Sequence, residues 1–402
     1  MRLVLPLLVL ACVGACDATP DADATEPAGR LVESRAPRWT QADAWRLDPQ
    51  PALTIGEADG EAAEYALDGV VGAARLSDGR IVIATRKTFD LRYYDARGHH
   101  LRSTGSKGDG PGEFRVILGI GRDRDTILVW DPFASRVSRF DPSGAFAGST
   151  SISGAEMRFL NFAGFLNDGS VLLRPLQEAK TDEFREGEYV DSAKYLRFST
   201  RTGAQLSAPG PYFGSESFKA VVNRFYMSNV VIFGRQSFVA TADSAFYRAE
   251  SDRFQATFHR PDGSPVRTAR RPYTPTRASS ADVAAQLETL AADDEELMQM
   301  SPQTAAAQRR LAENIPHRST LPAITQLRVD REDNLWIRAY VPPGAEAAEW
   351  SVFDPEGHWL GIVRVPANLE VLEIGDDYVL ARTVDPLDDV ERVVLHRLHK
   401  PR

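Results

Sequence analysis

The chain has 402 residues, of which 43% are hydrophobic and 26% are charged, a composition typical of soluble globular proteins. This length accommodates two or three average domains or one large repeat domain. The formal net charge is −9, and binding to nucleic acid requires a basic face, so we expect no nucleic-acid partner. The two cysteines, Cys12 and Cys16, both lie near the N-terminus. We therefore expect neither a structural disulfide nor a cysteine metal site.

Residues 1–15 have the pattern of a targeting segment. Arg2 precedes an apolar run that is too short to span a bilayer, because a spanning helix needs about 20 apolar residues. The run ends in Val-Gly-Ala-Cys at residues 13–16, which resembles the bacterial lipobox, whose cysteine is lipidated and becomes the new N-terminus. The resemblance implies a lipoprotein signal peptide over 1–15 and a lipid anchor at Cys16. Cys12 is a weaker candidate, and an ordinary cleaved signal peptide is the alternative.

Residues 16–42 are rich in Ala, Pro, Asp and Thr and contain few large apolar residues. Such a segment buries too little apolar surface to offset the entropy of ordering, which predicts a flexible tether. The folded domain is then expected over 43–402.

A unit made of a polar turn followed by an apolar strand recurs along this domain. Asp78 and Asp125 are 47 residues apart, and Asp125 and Asp168 are 43 apart. The six units lie at 77–84, 124–130, 167–173, 237–243 (a degenerate copy), 332–337 and 375–381. These units alternate with a second kind of segment, a strand that ends in a turn containing Gly, and in most of them Asp opens the turn. The second kind lies at 93–98, 139–144, 197–203, 258–263 and 352–357. Repeats of about 40–50 residues with several short strands indicate the blades of a β-propeller, here six.

The two ends of the repeat array complement each other. The last unit lacks an outer strand before the chain ends, whereas Trp45–Ile55 precedes the first unit without a partner. We therefore expect 45–55 to pair with the C-terminal strand as the outer strand of the sixth blade, which closes the ring.

One region departs from the β pattern and predicts a helical insertion over 278–315. Ser280 is the predicted N-cap of a first helix with Val283, Leu287 and Leu290 on one face, and Ser301 and Pro302 indicate a second helix. The insertion is interpreted either as a helical hairpin packed on the edge of the ring or as a lid over one face.

The loop Gly-Asp-Gly-Pro-Gly-Glu-Phe at 108–114, together with Asp-Pro-Ser-Gly at 141–144, resembles the NHL-type repeat. More broadly, 45–400 resembles six-bladed β-propeller lipoproteins of bacteria. The resemblance implies an all-β fold but no single activity, since such rings include lyases, lactonases, RNA-binding modules and protein-docking scaffolds. The loop lacks the Gly-Lys-Ser/Thr ending of a phosphate loop, so we interpret it as a connector between blades.

No catalytic constellation is evident in the sequence. Enzymatic propellers of this class hold a metal near the axis, but His99, His100, His259 and His358 lie in or beside predicted outer turns, and His396 and His399 lie near the C-terminus. This leaves His317 as the histidine that faces the axis, and one histidine is too few for a histidine zinc site. A calcium site built from carboxylates has no linear motif and stays open. Trp336, Trp350 and Trp359 are interpreted as packing between blades, in preference to a sugar-stacking platform.

These observations lead to two hypotheses. The favoured one is a lipid-anchored protein of the bacterial cell envelope, facing the periplasm or exterior, that binds a protein, peptide or glycan on one face of the propeller without a cofactor. The alternative is a calcium-dependent, lactonase-like hydrolase or lyase that uses carboxylates in the central channel. No catalytic or metal-ligating residue is assigned for either hypothesis.

Overall fold

The computed structural model describes residues 29–56, 62–153, 160–175, 185–222, 225–298, 311–312, 314–385 and 390–401. The predicted signal peptide and lipidation site Cys16 lie outside the described residues. The predicted start of a second helix at Ser301 and Pro302 also lies outside them.

Among the described residues, four antiparallel sheets have four strands each, and strands close in sequence pair side by side. The first two sheets consist of β4 (Val70–Arg75), β5 (Ile81–Thr85), β6 (Asp90–Tyr94) and β7 (His100–Thr104), and of β8 (Gly119–Asp123), β9 (Thr126–Asp131), β10 (Arg136–Phe140) and β11 (Phe146–Ser151). The other two consist of β12 (Leu160–Leu166), β13 (Ser170–Pro175), β15 (Leu196–Ser199) and β16 (Gln205–Ser207), and of β23 (Ile324–Val329), β24 (Leu335–Ala339), β25 (Ala347–Phe353) and β26 (Trp359–Pro366). The second strands are apolar runs, and β5 is buried along its whole length.

Two further sheets contain five strands because the N-terminal part of the chain adds to each of them. One consists of β19 (Ser237–Thr241), β20 (Phe246–Glu250), β21 (Gln255–His259), β22 (Pro265–Arg270) and β1 (Arg30–Glu33). The other consists of β27 (Glu370–Ile374), β28 (Tyr378–Val384), β29 (Glu391–His399), β2 (Arg46–Leu47) and β3 (Leu53–Ile55). The predicted pairing of 45–55 with the C-terminal strand is present, since both β2 and β3 pair antiparallel with β29.

The strands β4, β8, β12, β19, β23 and β27 (the inner strands) contact one another in a cycle in which β27 returns to β4. Glycine permits the close approach in part of this cycle. A side chain at Gly72 would collide with Ile120 of the next inner strand, and one at Gly121 would collide with Phe165. The fold is therefore all-β and propeller-like.

The core lies between successive sheets and not within a single layer. Trp336 and Trp350 are almost fully buried in a cluster that also contains Val379 and Val394 from the following sheet. Trp359 packs in a neighbouring cluster with Ala269 of the preceding sheet. The prediction that these tryptophans pack between blades is thus confirmed.

The glycine-rich loop at 108–114 connects β7 to β8, as the interpretation of a blade connector requires. The Gly108 N–H donates to the Phe114 carbonyl at 3.0 Å, and the Gly110 N–H donates to Glu113 Oε2 at 2.7 Å. Phe114 is fully buried in the core between the first two sheets. The loop is therefore stabilised by its own backbone and one carboxylate.

Residues 29–56 form an N-terminal strap along the outer edges of three sheets. β1 pairs parallel with β22, and the Ser34 N–H continues this pairing to the Arg270 carbonyl at 2.9 Å. The Trp39 N–H then donates to the Leu360 carbonyl on β26 at 2.8 Å, before β2 and β3 reach β29. The described part of the predicted tether, 29–42, thus contacts two of these sheets.

Side chains of the N-terminal strap are part of the core. Val32 and Ile55 are 9% and 1% exposed, respectively. The ring centroids of Trp39 and Trp45 are 4.8 Å apart, and the centroid of Trp45 is 6.0 Å from that of Trp336. The strap therefore contributes apolar burial as well as backbone hydrogen bonds.

Among the described residues, a three-stranded sheet and a helix lie outside the six larger sheets. They are β14 (Gly187–Ala193), β17 (Tyr212–Val222), β18 (Phe225–Val230) and α1 (Ser280–Met298). Leu287 and Leu290 of the helix pack against Ile232 and Phe233, which follow the three-stranded sheet. The helix is thus covered by the three-stranded sheet and the residues that follow it, a contact that the sequence did not indicate. No helix among the described residues is long and apolar enough to cross a membrane.

Two local predictions are corrected. The helix is capped by Ser279 and not Ser280, since the Asp282 N–H donates to Ser279 Oγ at 3.2 Å and the Ser279 N–H donates to Asp282 Oδ2 at 2.8 Å. The unit at 237–243 is the first strand of its sheet and not a second strand, because its reversal comes afterwards, where the Ala242 N–H donates to the Ala245 carbonyl.

Candidate functional site

The inner strands enclose a cavity of about 550 Å³, to which all six contribute wall residues. Its charged residues lie mainly at or just after the carboxyl ends of these strands. They are Arg122, Asp243, Arg328, Asp330, Arg331, Asp333, Glu370 and Glu373. Because no other described part of the molecule combines so many strands around one space, this cavity is the candidate functional site.

The wall formed by β4, β8, β12 and β19 is mostly small or apolar. Phe162 and Phe165 of β12 line the cavity with their ring centroids 5.0 Å apart. Both rings are partly exposed. The rings pack against the backbone of β8 at Gly119 and Gly121, where any side chain would collide with them. This wall offers aromatic surface to a bound molecule.

Glu373 on β27 connects several cationic and polar groups at the mouth of the cavity. Its Oε1 accepts hydrogen bonds from Arg331 Nη2 at 2.7 Å and Tyr378 Oη at 2.9 Å, and lies 3.4 Å from Arg122 Nη2. Its Oε2 accepts from the Arg75 N–H at 2.8 Å. Burial, and then the neighbouring Glu373 carboxylate, raise the pKa of Tyr378. Arg331 and Arg122 therefore share the Glu373 carboxylate as an ion-pair partner.

Arg328 on β23 lines the same cavity but has a different set of partners. Its Nε donates to the Val371 carbonyl at 3.0 Å and its Nη1 to the Leu327 carbonyl at 3.3 Å. Glu370 is close enough to favour its charge, but that carboxylate accepts from Arg382 Nη1 at 3.0 Å. Burial lowers the pKa of Arg328.

Three aspartates lie beside the mouth. Asp330 is a structural residue, since its Oδ2 accepts from both Trp336 Nε1 and Asn334 Nδ2 at 3.0 Å. Asp333 Oδ1 accepts from the Asp243 N–H at 3.2 Å. Burial raises the pKa of Asp333, and this hydrogen bond opposes the effect. In the part of the chain that the structure describes, no group of three or more His, Cys, Asp or Glu residues is placed to hold a metal ion.

A second recess of about 680 Å³ adjoins the cavity and shares Arg122 and Asn167 with it. It extends over the second and third sheets and includes Arg124, Arg201 and the 48% exposed Leu206. The cavity and the recess are thus adjacent, with Arg122 and Asn167 bordering both, and together they are called the depression.

The histidines do not form this site. His317, which the sequence places nearest the axis, instead forms an isolated bridge with Ile232 beside the three-stranded sheet, so that expectation is wrong. His259 is buried, stacks on Phe246 at 5.1 Å and has its Nδ1 3.0 Å from the Gly263 carbonyl. Its role is therefore in packing. Neither Arg328 nor Glu373 was predicted from the sequence to line a site. The available signal was the recurrence of basic residues near the carboxyl ends of inner strands.

No model of a known protein family matches the chain, and no curated protein matches its sequence. Among solved structures, a member of the DUF4221 family from Bacteroides vulgatus has a TM-score of 0.51 at 11% identity, and the match covers 90% of this chain and 100% of that one. A protein of Bacteroides fragilis described as exported has a TM-score of 0.46 at 12% identity, with coverage of 92% and 99%. A streptogramin B lyase has a TM-score of 0.41 at 10% identity, with coverage of 90% and 100%. At these identities the likeness extends to the fold alone.

Proposed function

We propose that this chain is a six-bladed β-propeller, closed by its N-terminal strap, that binds a protein, peptide or glycan on one face. We further propose that it does so outside the cytoplasm, held to a membrane of the bacterial envelope by a lipid on Cys16. The observation that carries the binding role is the depression formed by the adjacent cavity and recess.

Two properties of the depression support a binding role. The volumes of the cavity and the recess, about 550 and 680 Å³, are each in the range of a ligand site. The recess extends over two sheets, so an elongated ligand has room to lie along the depression. Its surface combines aromatic rings with arginine and amide groups, which is the mixture found in polar recognition sites.

The anchor is tested by the substitution Cys16→Ala in the full chain. We expect the wild-type protein to fractionate with membranes and the variant to appear in the soluble extracytoplasmic fraction, because lipidation at this position needs the thiol. Fractionation followed by immunoblotting measures the outcome. Cys12→Ala is the matched control and is expected to leave membrane retention unchanged. A Cys16→Ala protein that stays with the membrane would refute the lipid anchor.

The binding role is tested by narrowing the depression at Asn167, an exposed residue shared by the cavity and the recess. The full chain in mild detergent is screened against glycan and peptide arrays. We expect Asn167→Trp to weaken binding of any retained ligand at least tenfold, since the indole occupies the shared space. The control is Asn368→Trp, at an exposed site that lines neither the cavity nor the recess.

Equal binding by wild type and Asn167→Trp would contradict a ligand site in the depression. Metal-dependent hydrolysis of lactones by the purified protein would favour the alternative function, a calcium-dependent hydrolase or lyase. The carboxylates available for it at the mouth are Asp243 and Asp333.

A further inference from the structure

Arg328 carries a charge for which the described residues provide no ion pair. The other two arginines that line the cavity, Arg122 and Arg331, both reach Glu373. Arg328 has only the neutral carbonyls of Val371 and Leu327 as hydrogen-bond acceptors. Glu370, whose charge favours that of Arg328, does not pair with it directly and accepts from Arg382 instead, and burying a guanidinium without a directly paired counter-charge is costly. Such an arginine is therefore suited to an anionic group that enters from outside.

The position of Arg328 restricts where that anion lies. The residue belongs to an inner strand, lines the cavity of about 550 Å³ and is partly exposed. A planar guanidinium matches the two oxygens of a carboxylate, to which it can donate two parallel hydrogen bonds. The space is large enough for a ring that bears such a carboxylate.

Other walls of the cavity specify the rest of the ligand. Phe162 and Phe165 offer partly exposed aromatic surface that suits the apolar face of a sugar. Asn167, Asp243 and Asp333 offer polar groups to hydroxyls. An aromatic acid would use the rings and the arginine but would leave these polar groups without partners. The combination favours a sugar over a purely apolar acid.

We propose that the cavity binds a uronic acid residue of an acidic glycan, with its carboxylate on Arg328 and its ring against Phe162 and Phe165. This inference rests on the proposed function, of which it selects the glycan ligand. The recess that continues from Asn167 would accommodate the neighbouring sugars of the chain.

The test is calorimetric titration of the full chain in detergent with oligosaccharides of galacturonic and glucuronic acid, with the corresponding neutral oligosaccharides and with inorganic phosphate. We expect at least one acidic oligosaccharide to bind at least tenfold more tightly than its neutral counterpart and than phosphate. Arg328→Gln is expected to weaken this binding by about 10- to 100-fold, the range for a hydrogen bond to a charged group. Arg364→Gln makes the same charge change at an exposed site and should leave binding unchanged.

The thermal unfolding midpoint of Arg328→Gln separates loss of binding from loss of fold, and we expect it to be at least that of the wild type, because a buried charge is removed. Tighter binding of phosphate or of neutral sugars would overturn the uronic acid assignment, as would an undiminished affinity in a folded Arg328→Gln protein. In either case, a ligand still weakened by Asn167→Trp would leave the proposed binding function intact.

Discussion

Deletion of residues 29–56 is expected to abolish the cooperative thermal unfolding of the protein. The deletion removes the outer strand of one sheet, two strands that pair with β29, and the buried side chains of Val32 and Ile55. Burial of one large apolar side chain contributes about 1.5–3 kcal/mol, and Trp39 and Trp45 add to these two. The expected loss, on the order of 5–10 kcal/mol, is comparable to the net stability of a typical domain.

The measurement is circular dichroism during heating, on the purified full chain and the deletion variant. Deletion of residues 17–28 is the control and should leave the midpoint unchanged, because the composition of that segment predicts a tether. For a variant that still folds, Ile55→Ala should cost about 2–5 kcal/mol in urea unfolding. A deletion variant that unfolds cooperatively near the wild-type midpoint would show that the strap is dispensable.

Acidification from pH 6.5 to pH 4 is expected to destabilise the protein by about 3 kcal/mol through His259 alone. Burial lowers the pKa of His259 from 6.5 to about 4, and its Nε2 has no hydrogen-bond partner among the described residues. The unfolded chain therefore takes up a proton at a higher pH than the folded protein does. The contribution of His259 to the free energy of unfolding is present above about pH 6.5. It is lost as the pH falls, until the folded form is also protonated near pH 4.

Urea unfolding at pH 7.5, 6 and 4 measures this dependence. His259→Phe should reduce the decrease in stability over this range by about 3 kcal/mol, whatever its effect on stability at pH 7.5. Asp333 has a raised pKa and gives a contribution of opposite sign, which is present in both proteins and cancels in the comparison. An unchanged slope in His259→Phe would contradict a neutral buried imidazole.

The sequence was sufficient for the repeating strands because their determinants are local. Asp141 illustrates this, since its Oδ1 accepts from the N–H groups of Ser143 and Ala145 within one turn. The degenerate unit at 237–243 was assigned to the wrong strand because it lacks such a turn at its start. The observed helix cap is Ser279, whereas Ser280 was predicted, because the two adjacent serines satisfy the same sequence pattern.

The residues of the candidate site could not be predicted from the sequence, for a different reason. Whether Arg328 is paired depends on Glu373 and Glu370, which lie more than 40 residues away on another strand. The spacing of the repeats predicts which sheets exist but not which side chain of an inner strand meets a carboxylate. Similarly, the packing of α1 on Ile232 requires a contact between two insertions, for which a repeat pattern contains no information.

The N-terminal strap also has a mechanical consequence. In a chain held at Cys16, as proposed, any pull between the membrane and the protein enters the folded part through β1. Because β1 pairs with β22 along all four of its residues, a force directed along the strand loads their hydrogen bonds together in shear, instead of opening them one after another. A pull on the proposed anchor is then resisted over the length of a strand, and the load passes on from there to the edges of two further sheets.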